Sequence, residues 1–178
     1  MARKVAGDIM IPLDKYPHVP YHATLKEAVK VMEDSVITVG DCKSLPRALL
    51  VFDEKHNLLG ILRRRDILRA LEPKFLKTMN LQTRKELFHV ESDPDLLVLS
   101  TGRIARATRE QAEHPVSEAM SPVVATCDYN DHVTKVIYRM VNFDQALLPV
   151  MKDRQVVGVV RSVDVFNEVA RVLEETTA

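Results

Sequence analysis

The sequence predicts a mixed α/β (α+β) fold. Two βαββα units pack about a pseudo-two-fold axis, with a mostly helical inserted segment between them. Three observations carry this expectation. A Met-x-Pro segment occurs twice, each copy is followed by a helical apolar stripe, and each stripe is followed by two short apolar runs around a polar turn. The units span 1–73 and 114–178, and the insertion spans 74–113.

Each unit opens on a short, helix-compatible stretch closed by Met-x-Pro: Gly7-Asp8-Ile9-Met10-Ile11-Pro12, then Ser117-Glu118-Ala119-Met120-Ser121-Pro122. The proline forces an extended path. An amphipathic helix follows. In the first unit Leu25, Ala28, Val29 and Met32 mark its apolar face, and Thr24 with Glu27 forms a capping box. In the second, Val133, Val136, Ile137, Met140 and Val141 mark it, with Asp131 as the expected cap. Next come the hairpins. Ala48-Leu49-Leu50-Val51-Phe52 and Leu58-Leu59-Gly60-Ile61-Leu62 flank the turn 53–57. Ala146-Leu147-Leu148-Pro149-Val150 and Val156-Val157-Gly158-Val159-Val160 flank the turn 152–155. A closing helix starts near Asp66 in one unit and near Asp164 in the other.

Equivalent residues lie 110 apart at the methionines (Met10, Met120) and 98 apart at the hairpin glycines (Gly60, Gly158). The first unit therefore carries about twelve extra residues, most of them in 35–45, read as a polar surface loop. One unit buries one face of a three-stranded sheet and leaves the other apolar, so two units are expected to cover each other. In the insertion, Phe75, Leu76 and Met79 suggest a short helix, and Leu87, Phe88 and Val90 an apolar patch. Ser92-Asp93-Pro94-Asp95 reads as a turn and Leu96-Leu97-Val98-Leu99 as a buried run. Arg103, Arg106 and Arg109 recur on a helix ending near Glu113. Those arginines are either a solvated face or a face for an acidic partner or phosphate.

The chain carries 25 basic and 25 acidic side chains, so it lacks the overall basic excess of a nucleic-acid binder. Cys42 and Cys127 form no CxxC pair, which fits reduced thiols in a cytoplasmic protein. The start of the chain lacks the apolar stretch of a signal peptide, and no run approaches the roughly 20 apolar residues of a membrane span. His18 and His22 are four apart, but Pro20 between them breaks any helix, so no metal site is expected there. No nucleophile–base pair stands out, and the chain is read as a non-enzyme. Met10, Met32, Met120 and Met140 follow the repeat and are expected in the core.

One more motif repeats in register: Gly60-Ile61-Leu62-Arg63-Arg64-Arg65-Asp66 and Gly158-Val159-Val160-Arg161-Ser162-Val163-Asp164. With the two Met-x-Pro segments, it resembles the signature of the cystathionine-β-synthase-type (CBS) repeat, and the pair resembles the Bateman module. The resemblance covers roughly 1–73 and 114–175. It implies a regulatory module without a required cofactor, in which clefts between the repeats bind AMP, ADP, ATP or S-adenosylmethionine. It implies Asp66 and Asp164 as ribose ligands, Ala48 and Ala146 as backbone contacts to adenine, and Ile11 and Ser121 as the opposite wall. Gly60 and Gly158 belong to the same site. The family's usual Ser or Thr is Arg63 in one copy and Arg161 in the other. Either arginine can pair with phosphate or fill the cleft with its own side chain. Asp66 and Asp164 equally suit the first turn of a helix as caps.

The expected function is therefore a stand-alone, energy-sensing module. It pairs through its helices as a disc-like homodimer, binds an adenosine-containing ligand and signals by conformational change to a separate effector protein. The alternative is a nucleotide-independent dimerisation or protein-interaction module.

Overall fold

In the computed structural model, which describes residues 4–39, 42–72 and 101–175, two four-stranded sheets are each completed by a strand from the other repeat. Short helix α1 (Ala6–Ile9) leads into β1 (Ile11–Pro12), and a 3-10 turn and β2 (His18–Pro20) follow. Helix α2 (Leu25–Asp34) precedes the small strands β3 (Ile37–Val39) and β4 (Cys42–Ser44). The hairpin β5 (Ala48–Phe52) and β6 (Leu58–Arg63) runs into α3 (Arg64–Leu71). Helix α4 (Thr101–Ala112) then leads to β7 (Ser121–Pro122), β8 (Cys127–Asp128) and α5 (Val133–Asn142). The hairpin β9 (Leu147–Lys152) and β10 (Gln155–Arg161) and helix α6 (Ser162–Glu175) follow as the last of the described elements.

The first sheet has the order β2-β5-β6-β7 and the second β8-β9-β10-β1. The outer strands β2 and β8 run parallel to their neighbours, and the other pairs are antiparallel. The exchange is reciprocal. Ile11 pairs with Val159 in the second sheet, and Ser121 pairs with Ile61 in the first. The expected three-stranded unit is thus closed by a fourth strand that its partner supplies. Each exchanged strand passes over a glycine: Pro12 lies opposite Gly158 and Pro122 opposite Gly60. A Cβ at Gly158 would sit well inside 3.0 Å of the Ile11 carbonyl oxygen, and one at Gly60 2.8 Å from the Ser121 carbonyl oxygen. Close backbone approach therefore accounts for both glycines of the repeated motif.

The apolar runs of the hairpins are explained by burial on both faces. Leu49 and Val51 join Leu25, Ala28, Met32, Leu62 and Ile67 under the helices of the first repeat. Leu148, Val150 and Val160 do the same with Val133, Val136 and Met140 in the second. The alternate residues Ala48, Leu50, Phe52 and Ile61 meet Val159 and Ile11 between the sheets. Each buried Leu or Val contributes about 1.5–3 kcal/mol. Pro149 is tolerated inside β9 because β8 begins pairing only at Val150. The equivalent Leu50 N–H points toward β2 and donates to the Pro17 carbonyl, just before that strand, a bond that Pro149 lacks on the β8 side.

Several local expectations are changed. Segment 35–45 is not merely a polar loop: β3 and β4 form an antiparallel ribbon, and Ile37 is buried between the sheets. The cap of α5 is His132, whose Nδ1 accepts from Thr134 N, while Asp131 closes the preceding turn by accepting from Asp128 N and Lys135. The arginine-bearing helix of the insertion is α4. The expectations for Phe75, Leu76 and Met79, for Leu87, Phe88 and Val90, for the turn at Ser92, Asp93, Pro94 and Asp95, and for Leu96, Leu97, Val98 and Leu99 lie outside the described residues.

The capping box of α2 is present. Thr24 Oγ1 accepts from Glu27 N at 3.2 Å, and Glu27 accepts from Thr24 N at 2.8 Å. Thr24→Ala is expected to cost about 1 kcal/mol of unfolding free energy, read from urea denaturation midpoints. An unchanged midpoint would show that the core alone holds this helix end.

Candidate functional site

Each repeat ends its hairpin at a strand-to-helix junction, and the exchanged strand of the other repeat lies beside it. This geometry gives two related candidate sites, each at the place where the sequence reading expects a cleft. In the first, Asp66 sits in the opening turn of α3, buried at 5% exposure. Its Oδ2 accepts from the Arg63 backbone N–H at 3.1 Å and from the Ser121 hydroxyl at 3.4 Å. The capping role anticipated for Asp66 is therefore real, and it uses one edge of the carboxylate. Among the described residues no basic side chain pairs with Asp66. Arg63 instead sends its guanidinium across the interface to the Gln145 side chain.

The second cleft differs. Asp164, at 8% exposure, is gripped by both arms of Arg161: Nε donates to Oδ2 at 2.7 Å and Nη2 to Oδ1 at 2.6 Å. The remaining Nη1 donates to Ser44 Oγ at 2.8 Å. A two-pronged guanidinium–carboxylate pair is among the stronger polar contacts available to a protein. The Arg161 side chain thus lies against its own aspartate, with its three donors on Asp164 and Ser44. The exchanged strand here brings Ile11, buried and without a hydroxyl, where the first cleft has Ser121.

Register also moves one candidate. Ala48 lies opposite Arg63, but the residue opposite Arg161 is Leu147, not Ala146. Ala146 is exposed, and its carbonyl accepts from Ser162 N at 2.8 Å, as that of Arg47 accepts from Arg64 N. The cause is turn length. The first hairpin closes through Asp53 to Asn57 with His56 at φ 60°, while the second closes tightly through Asp153 (φ 50°) and Arg154 (φ 65°). The strands before the turns are therefore 99 residues apart and those after them 98 (Leu148 − Leu49 = 99; Val160 − Leu62 = 98).

Sequence reasoning missed three participants. Tyr16 is buried and donates its hydroxyl to the Ala48 carbonyl at 2.9 Å. Burial raises its phenol pKa well above the ordinary range, while the Arg161 charge opposes the rise, so the donor stays protonated. Ser44 and Gln145 were missed because they precede the opposite hairpin and meet the arginines only after folding. Cys127 is buried with its thiol pushed up to about 11, mainly by burial, and is not poised as a nucleophile.

A groove of about 970 Å³ opens at the other end of the hairpins, between Leu13, Phe52, Val123 and Val156, with Lys55 and Arg154 at its rim. None of the ten sequence candidates lines it. The turn residues around it carry both signs of charge, Asp53 and Glu54 against Lys55 and Arg154, and favour no ligand class, so the chemistry is better sought at the two aspartates. No group of His, Cys, Asp or Glu among the described residues is arranged to hold a metal, and no helix among them is long and apolar enough to cross a membrane.

The CBS domain family model matches residues 6–73 and 116–171. The fold is similar to that of the CBS domain of a CBS domain containing membrane protein from Sphaerobacter thermophilus. That match has a TM-score of 0.63 at 19% identity over 93% of this chain and 87% of the other. It is also similar to CBSX2 in complex with AMP, with a TM-score of 0.59 at 15% identity over 94% and 97%. The cytosolic domain of the Mg2+ channel MgtE in complex with ATP is similar at a TM-score of 0.57 and 20% identity, over 93% of this chain and 48% of the other. No curated protein sequence matches the chain.

Proposed function

The chain belongs to the CBS domain family, with two copies of the repeat, and from that premise we propose that it is a regulatory module that binds an adenosine-containing ligand between its repeats. The observation that carries this reading is the Asp66 cleft. A buried carboxylate stands at a helix start with one edge held by Arg63 N and Ser121, and without a basic partner among the described residues. Such a group accepts from the two hydroxyls of a ribose, and the helix N-terminus favours an anion beside it. AMP and ATP in the named complexes of CBSX2 and MgtE support the ligand class.

Ligand binding between repeats would shift their relative angle in proportion to its differential affinity for the two arrangements, and an effector protein would read the shift. Pairing of two chains through their helices suits the exposed Leu68, Tyr138, Val141 and Phe166 on α3, α5 and α6. The neutral net charge favours work without nucleic acid, and the two cysteines, which form no CxxC pair, suit a reducing cytoplasm.

Thermal unfolding tests the ligand. At 100 times its dissociation constant, a ligand of the native state adds about 2.7 kcal/mol, which is several degrees for a chain of this size. The expected result is a rise with at least one of AMP, ADP, ATP or S-adenosylmethionine, none with GTP, and loss of the rise in Asp66→Ala. No rise with any adenosine compound would make the chain a nucleotide-independent interaction module instead.

A further inference from the structure

The two clefts are built from equivalent positions but are chemically unlike, and the differences all point one way. At the exchanged strand the first has Ser121 and the second Ile11. At the aspartate the first has a carboxylate without an ion pair among the described residues, and the second a carboxylate gripped by Arg161. At the junction itself the first has Arg47, Arg63, Arg64 and Arg65, where the corrected register gives the second Ala146, Arg161, Ser162 and Val163.

Resting on the adenosine reading, we propose that the clefts are unequal: one nucleoside di- or triphosphate binds per chain, at Asp66, while Arg161 closes the cleft of Asp164. A ligand entering the second cleft must displace a bidentate guanidinium and also release its bond to Ser44. A ribose offers two neutral hydroxyls in exchange, a poorer partner for a buried carboxylate than the guanidinium. At the first cleft, among the described residues, no such displacement is needed. Arg47, Arg64 and Arg65 are exposed. Arg64 N donates to the Arg47 carbonyl at 3.1 Å, so the backbones of these two residues meet where the strand enters the helix, next to Arg65 in sequence. Their combined charge, with the N-terminal end of the eight-residue α3, matches the three or four negative charges of a polyphosphate better than the two of a monophosphate.

Isothermal titration of the full chain with ATP, ADP and AMP tests this. The expected result is one site per chain, with ATP and ADP at least tenfold tighter than AMP. Asp66→Asn should remove all binding, because no second working cleft remains. Giving the first junction the residues of the second (Arg47→Ala, Arg64→Ser, Arg65→Val) should bring ATP to the affinity of AMP while AMP is retained. Arg161→Ser should raise the count to two sites. Two sites in the unaltered chain, a residual site in Asp66→Asn, or a folded Arg161→Ser that still binds once would each overturn the assignment. AMP binding as tightly as ATP would overturn the polyphosphate class alone. If none of the three nucleotides binds the unaltered chain, the adenosine reading itself fails, and this inference with it.

Discussion

Gly158→Ala is expected to destabilise the chain by about 2–3 kcal/mol, and to lower its thermal midpoint by roughly 5–10 °C. The added methyl has nowhere to go. Its nearest neighbour is the Ile11 carbonyl oxygen, a backbone atom held in the sheet by pairing with Val159. Relief therefore requires β1 to lift from β10, which also withdraws Ile11 from the core between the sheets. Gly60→Ala is the natural control. Its methyl first meets Met120 Sδ, the flexible part of a side chain, although the Ser121 carbonyl is close behind at 2.8 Å. A smaller loss is expected there. If the two substitutions cost the same, or Gly158→Ala costs nothing, the exchanged strands are looser than described.

Asp164→Ala should cost about 3 kcal/mol, and Asp66→Ala only about 1. The difference comes from what is left behind. Removing Asp164 strands the Arg161 guanidinium, whose side chain is only 14% exposed, with Ser44 as its remaining partner. Removing Asp66 leaves the Arg63 N–H and the Ser121 hydroxyl, both neutral donors, to find water. The loss at Asp164 should be recovered largely when Arg161→Ala is added, since neither charge then remains without its partner. A double-mutant cycle in urea measures this coupling. A coupling near zero would mean that the Arg161–Asp164 pair is solvated and contributes as little as a surface ion pair.

Much of the architecture was legible in the sequence because it rests on local periodicity. The stripe of Leu25, Ala28 and Met32, the box of Thr24 and Glu27, and the doubled apolar runs at Leu49 and Leu148 each specify their element without reference to distant residues. The strand exchange was not legible. Ile11 and Ser121, each the middle residue of a Met-x-Pro, must lie on some sheet edge, but either sheet would satisfy that local pattern. The one-residue slip that exchanges Ala146 for Leu147 hides in the hairpin turns, which are polar in both repeats but differ in length. At the site, the motif located Asp66 and Asp164 at their helix starts. The pairing of Arg161 with Asp164 spans only three residues, but its further bond to Ser44 joins positions more than a hundred residues apart, and no spacing rule reaches that far.

The exchange of strands also sets an order of events during synthesis. Ile11 finds its partner only when Val159 has been made, 148 residues later (159 − 11 = 148). At about 5–20 residues per second, that is a wait of roughly 7–30 s. Strand β1 is thus made before β2, β5 and β6 and yet is paired after them, and the first hairpin waits likewise for Ser121 to cover its open edge at Ile61. Neither half can be finished in isolation. A chain truncated after the first repeat would carry both an unclaimed strand and an unprotected sheet edge, the two ingredients from which chains join one another instead of themselves.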